Sequence, residues 1–151
     1  MAGTAIPSSP VVHRSRGVVR ANIAMTCDAS GVLSASVIGE FYGRLVGVFY
    51  DGGLDASAVI TFKDVRSGAT LLTYTTGTEG TATRFRPTTN VTDNVGAAVT
   101  AATTAPNVAR DIKVAGQVSI TVASGGTSET GTIALIFDET RRGIGDLALT
   151  V

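Results

Sequence analysis

The amino-acid sequence predicts an all-β fold, a single-domain antiparallel β-sandwich or small barrel with an extended N-terminal arm. About eight short segments rich in β-branched and aromatic residues are separated by turns, and the chain contains 18 glycines. No segment has the apolar spacing of an amphipathic helix. The length of 151 residues fits one domain that is large enough to bury a core.

Composition divides the chain into an extended arm (1–16), a β-domain (17–139) and a C-terminal tail (140–151). The arm contains Pro7 and Pro10 and has no apolar periodicity. Such a segment buries little surface alone, so we expect it to be mobile in the free protein and to order against a partner.

Two segments near the end of the β-domain show the clearest strand pattern. Apolar and polar residues alternate along each of them: Val118, Ile120 and Val122 in the first, and Ile133, Leu135 and Phe137 in the second. A turn-rich stretch, Ser124–Gly131 (SGGTSETG), lies between them. The pattern predicts that the two strands pair with each other as an antiparallel hairpin.

Earlier segments predict further strands around that pair. Tyr42–Asp51 is apolar on both faces, which is typical of a central strand, and Val32–Ile38 is a separate candidate strand. Ala58–Lys63 and Ala69–Thr75 are joined by the sequence DVRSG, which favours a hairpin.

The composition gives no indication of catalytic or metal chemistry. The single histidine, His13, lies in the arm without the fixed partners that a catalytic triad needs. One cysteine, Cys27, excludes an intrachain disulfide, is expected to be buried and inert, and cannot form a zinc site with one histidine. The twelve acidic residues are scattered without calcium-loop spacing. We therefore predict no enzymatic activity, no cofactor and no metal.

Charge and hydropathy also limit the kinds of partner. The formal net charge is zero, which gives no basic bias toward nucleic acid. No apolar run approaches the ~18 residues of a membrane span. Charged residues make up only 16% of the chain, a composition that lets a surface pack against other proteins at low desolvation cost.

Arginine is the main source of candidate partner contacts, because its planar fork pairs with carboxylates. Three arginines near the arm precede the first acidic residue, two flank Phe85, and two open the tail. Together with the arm histidine, the candidate contacts are His13, Arg14, Arg16, Arg20, Arg84, Arg86, Arg141 and Arg142.

Several segments resemble a group of small proteins encoded in the structural-gene clusters of tailed bacteriophages. These segments are Gly43–Asp51 (GRLVGVFYD), Leu54-Asp55, Phe85–Ala98 (FRPTTNVTDNVGAA) and Val114–Asp138 (VAGQVSITVASGGTSETGTIALIFD). The resemblance covers roughly residues 40–138. The chain departs from the shorter members of the group in its N-terminal stretch to Gly39 and in its tail after Glu139.

The resemblance implies a virion structural protein, a head decoration or cement protein that sits on the capsid surface. Its implied partners are the major capsid protein and further copies of itself, as a homotrimer. A different function class stays open, a tail- or surface-associated β-module that binds carbohydrate or a receptor. The absence of Trp and an aromatic content of 5% weigh against a sugar site.

Overall fold

The structure is a computed structural model, and it describes residues 3–90 and 109–139. These residues form nine strands: β1 Thr4–Ser15, β2 Val18–Thr26, β3 Leu33–Tyr50, β4 Val59–Asp64, β5 Thr70–Thr75, β6 Thr83–Phe85, β7 Thr88–Asn90, β8 Ala109–Ala123 and β9 Thr130–Asp138. The all-β prediction is confirmed, and no helix occurs in this part of the chain.

Seven of the strands form one antiparallel sheet in the order β1-β2-β9-β3-β8-β4-β5. The sheet is not closed into a barrel. Strand β6 adds to the second half of β3, and β7 adds to the start of β8. The 18-residue strand β3 pairs with β8 along Leu33–Leu45 and with β9 along Arg44–Tyr50, so it joins the two halves of the sheet.

The predicted pairing between the strands at Val118–Val122 and Ile133–Phe137 is wrong. Both strands exist, but β3 lies between them, so that β8 pairs with β3 and β4, while β9 pairs with β2 and β3. Alternation reports which face of a strand is buried, but it does not report which strand lies beside it. The connection at Ser124–Glu129 therefore runs from beside Leu33, at the start of β3, to beside Tyr50, at its end.

Strand β3 also merges two predicted strands, Val32–Ile38 and Tyr42–Asp51, into one continuous element. The prediction that its second half is central is confirmed, because it lies between β9 and β8 or β6. The hairpin through Asp64–Gly68 is confirmed as well. In that turn Ser67 donates from its backbone N–H and its hydroxyl to the Asp64 carboxylate, at 2.8 and 2.6 Å.

The N-terminal arm is extended, but the expectation that it orders only against a partner is wrong, because it pairs within its own chain. Residues Thr4–Ser15 form β1, which pairs antiparallel with β2 and is the terminal strand of the sheet. Backbone hydrogen bonds to Val18–Thr26 hold β1 without requiring an apolar periodicity. A turn at Arg16 and Gly17, with φ of 50° and 79°, connects the two strands.

One hydrophobic core is built from residues of β2, β3, β4, β8 and β9, together with loop residues such as Leu54. Its largest fully buried side chains are Tyr50, Phe41, Phe62, Phe137, Ile23, Met25, Leu33, Leu54, Ile60, Ile120, Ile133 and Leu135. The rings of Phe41 and Phe137 are stacked with their centroids 4.6 Å apart. The buried Tyr50 hydroxyl accepts a hydrogen bond of 2.7 Å from the Leu54 N–H. These five strands therefore bury side chains in one shared core.

Candidate protein-interaction surface

The outer face of the sheet brings together three side chains from separate strands. Register pairs Phe49 of β3 with Arg84 of β6 on one side and with Ala134 of β9 on the other, and Ala134 pairs with Asn22 of β2. Side chains on these strands alternate between the core and the outside, so Phe49 and Arg84 point outward. Arg20 lies two residues before Asn22 on β2, so its side chain points to the same face.

Two guanidinium groups flank the ring of Phe49. The guanidinium carbon of Arg84 lies 4.3 Å from the ring centroid, and that of Arg20 lies 5.9 Å away. Arg20 also donates from Nε to Asn22 Oδ1 at 3.0 Å. Stacking on an aromatic ring leaves the in-plane N–H donors of an arginine free to bind a carboxylate. We name Arg20, Phe49, Arg84 and Arg86 the arginine face.

An ion-pair cluster borders the arginine face. Arg44 of β3 donates to Asp138 of β9 at 2.6 Å and to Asp111 of β8 at 3.1 Å, and Arg86 donates to Asp111 at 2.8 Å. The cluster therefore ties three strands of the sheet to the segment after β6. Its two carboxylates are paired with Arg44 and Arg86, whereas Arg20 and Arg84 pair with no carboxylate in the part of the chain that the structure describes.

An open cleft of about 480 Å³ lies beside Arg84 and Arg86. Its floor includes Gly47 and Ile136, which are paired across β3 and β9. Gly47 keeps this floor low, since a Cβ there would come within 3.4 Å of the Ile136 side chain. The arginine face thus combines an apolar depression with exposed cationic donors, a combination found in protein–protein contacts.

The fold also gathers acidic residues that looked scattered in the sequence. Four loops lie at one end of the sheet, and backbone hydrogen bonds link them, such as Gly125 N–H to Gly31 O at 2.8 Å and Gly80 N–H to Gly52 O at 2.8 Å. The loops (27–32, 51–58, 76–82 and 124–129) contain no Lys, Arg or His. They carry five carboxylates: Asp28, Asp51, Asp55, Glu79 and Glu129. We name these residues the acidic loop end.

Cys27 is buried beneath this end, as predicted. Burial raises the pKa of its thiol, and the nearby carboxylates of Asp28, Asp55 and Glu129 raise it further. A raised pKa keeps the thiol protonated near neutral pH, which makes it a poor nucleophile and metal ligand. Among residues 3–90 and 109–139 there is no group of three His, Cys, Asp or Glu side chains positioned to hold a metal ion.

The structure places the predicted contact residues in three groups. His13 and Arg14 lie on β1 and Arg16 lies in the following turn. Arg20, Arg84 and Arg86 belong to the arginine face. Arg141 and Arg142 lie outside the described residues. Sequence reasoning missed the contribution of Phe49 to this surface and the acidic loop end, because both depend on which strands and loops become neighbours.

No family model matches the chain, and no curated protein or solved structure is significantly similar to it. Within the described ranges, no helix is long and apolar enough to cross a membrane.

Acid should selectively remove the contribution of the ion-pair cluster to stability. The hydrogen bond from Arg86, together with the charges of Arg86 and Arg44, holds the pKa of the Asp111 carboxyl below its ordinary value. The stabilisation is therefore present above the carboxyl's unfolded-state pKa and is lost as the pH falls through its folded-state pKa. We expect Asp111→Asn to lower the melting temperature at pH 7, and we expect this difference to shrink in acid. A difference that is constant with pH would contradict the ion-pair role.

Proposed function

We propose that this chain is a bacteriophage virion structural protein, a decoration or cement protein that binds the major capsid lattice at the capsid surface. The segments that resemble phage structural proteins lie mainly in the central strands, since Gly43–Asp51 belongs to β3 and Val114–Asp138 spans β8 and β9. We further propose that the assembled unit is a homotrimer.

The observation that carries this proposal is the position of the N-terminal extension. It supplies β1 and β2 at one end of the sheet and the first part of the central strand β3. Strand β1 is 12 residues long and ends the strand order. A terminal strand offers backbone donors and acceptors to which an extended segment of a partner can add. His13, Arg14 and Arg16 lie at the turn end of this strand and would contribute contacts to acidic groups.

Charge reversal in the β1–β2 hairpin tests the proposal. We expect Arg14→Glu combined with Arg16→Glu to weaken co-sedimentation with capsids about tenfold, equal to ~1.4 kcal/mol, because two ion pairs with capsid carboxylates, worth ~0–1 kcal/mol each at a protein surface, would become repulsive. Raising the salt concentration should weaken the binding of the native protein as well. Circular dichroism should be unchanged.

Arg66→Glu combined with Lys63→Glu is the matched control, since both are exposed cationic residues of the β4–β5 hairpin and their reversal changes the charge by the same amount. Native protein that binds no capsid at any salt concentration, but binds a glycan array, would replace the capsid proposal with the carbohydrate- or receptor-binding alternative. Equal capsid binding by the double variant and by the control would show that the β1–β2 hairpin does not contact the capsid through these arginines.

A further inference from the structure

We propose that the arginine face receives the acidic loop end of a second copy of this chain, so that copies associate head to tail. This interface rests on the self-association included in the proposed function, but it does not depend on the identity of the capsid partner.

The outer face of the sheet carries more guanidinium groups than carboxylates to pair with them. Among the described residues, Asp111 and Asp138 supply the only carboxylates that form ion pairs with Arg20, Arg44, Arg84 or Arg86, so four guanidinium groups share two carboxylates there. Arg84 is held over Phe49 at 4.3 Å, which restricts its side chain before a partner arrives. A preorganised arginine loses less entropy on binding than a freely rotating one.

The acidic loop end of the same chain is a surface of complementary charge. The acidic loop end has five carboxylates and no cationic residue in its four loops. None of the five forms an ion pair with a described residue. Backbone hydrogen bonds such as Cys27 N–H to Glu129 O (2.9 Å) and Asp55 N–H to Gly125 O (3.1 Å) lock the loops together. Rigid loops can present their charges to a partner without a large ordering cost.

Charge complementarity therefore favours a second copy over an unrelated partner. Two different surfaces of opposite charge on one chain generate a heterologous contact, which forms a ring when the rotation between copies closes. A ring of three copies would agree with the proposed homotrimer. The shallow cleft at Gly47 and Ile136 would receive the small side chains of the Gly/Ser/Thr-rich loops.

Reciprocal charge reversal is the test, with sedimentation equilibrium as the readout. Arg84→Glu adds a carboxylate to the arginine face, and Glu79→Arg combined with Glu129→Arg adds two guanidinium groups to the acidic loop end. We expect each surface variant to raise the dissociation constant for self-association about tenfold or more. We expect the chain that carries all three substitutions to regain association, because the carboxylate introduced on the arginine face of one copy can then pair with the guanidinium groups introduced on the acidic loop end of the next.

The substituted side chains make few contacts within their own chain, so their replacement should leave the fold unchanged. Arg84 has no described partner other than the Phe49 ring, and neither Glu79 nor Glu129 uses its side chain in a hydrogen bond within the described residues. Each variant should keep the native circular dichroism spectrum. Arg66→Glu alone serves as the control and should associate like the native protein, since Arg66 lies outside both surfaces.

The proposal is overturned if the native protein stays monomeric at every concentration, or if Arg84→Glu leaves the dissociation constant for self-association unchanged. It is also overturned if the chain with all three substitutions remains dissociated. If the native protein is monomeric and the Arg84→Glu variant binds capsids more weakly than it does, the arginine face instead binds the capsid protein. If the native protein binds no capsid but its self-association still responds to the reciprocal substitutions as expected, the capsid proposal is wrong and this interface remains supported.

Discussion

Replacing Phe41 with alanine should lower the free energy of unfolding by about 3–5 kcal/mol, the usual cost of removing a fully buried ring. Phe41 has 0% exposure and lies near the middle of β3, where pairing passes from β8 to β9. Its ring stacks on Phe137 at an interplanar angle of 12°. The surrounding strands are held by backbone ladders on both sides, so they cannot collapse fully into the cavity.

Urea denaturation measures this loss as a lower midpoint with an unchanged m-value. Val37→Ala is the control on the same strand, because the Val37 side chain is 52% exposed and its truncation should cost little. Phe41→Leu, which keeps part of the buried volume, should give an intermediate loss. Equal stability of Phe41→Ala and Val37→Ala would mean that Phe41 is not part of the core.

The strand pattern of the sequence predicted the core well. Val118, Ile120 and Val122 are buried, and so are Ile133 and Phe137. Period-two alternation reports burial directly, because successive side chains point to opposite faces of a sheet. Local turn chemistry was equally informative at Asp64–Gly68, where side-chain hydrogen bonds within the turn define the hairpin.

Strand neighbours could not be predicted in the same way. Strand β3 separates β8 from β9, although these two strands are consecutive in sequence and joined by a short connection. The pairing of β1 with β2 was missed for a related reason. A strand at the end of a sheet is held by its backbone, so a segment with two prolines and no alternation can still belong to the sheet.

The residues of the candidate surface come together only through the strand neighbours that the sequence pattern does not predict. Arg84 and Arg86 were recognised because they flank Phe85, whose inward ring stacks on Tyr74 with centroids 5.0 Å apart. Their outward neighbour Phe49 comes from a distant strand, and only the β3–β6 register reveals it. Likewise, carboxylates from four separate loops become one surface only when the ends of the strands are aligned.

The second large effect is expected at Gly43, where alanine should lower the free energy of unfolding by about 2–6 kcal/mol. Gly43 has a φ of 125°, a conformation that costs an L-residue about 1–3 kcal/mol. A Cβ there would also overlap the carbonyl oxygen of Asp138 and lie 3.0 Å from its carbon. Crowding of this kind adds roughly 1–3 kcal/mol, and backbone atoms of β9 cannot move aside as a flexible side chain would.

Gly116→Ala separates these two costs, because Gly116 also lies in a strand and has a similar φ of 135°, but a Cβ there would meet only an Asp64 oxygen at 3.8 Å. We expect Gly43→Ala to be less stable than Gly116→Ala by at least about 1 kcal/mol, the lower end of the crowding cost. Because Gly43 precedes Arg44, displacement of β9 should also disturb the Arg44–Asp138 pair. Equal stability of the two alanine variants in urea would show that β3 and β9 do not approach closely at Asp138.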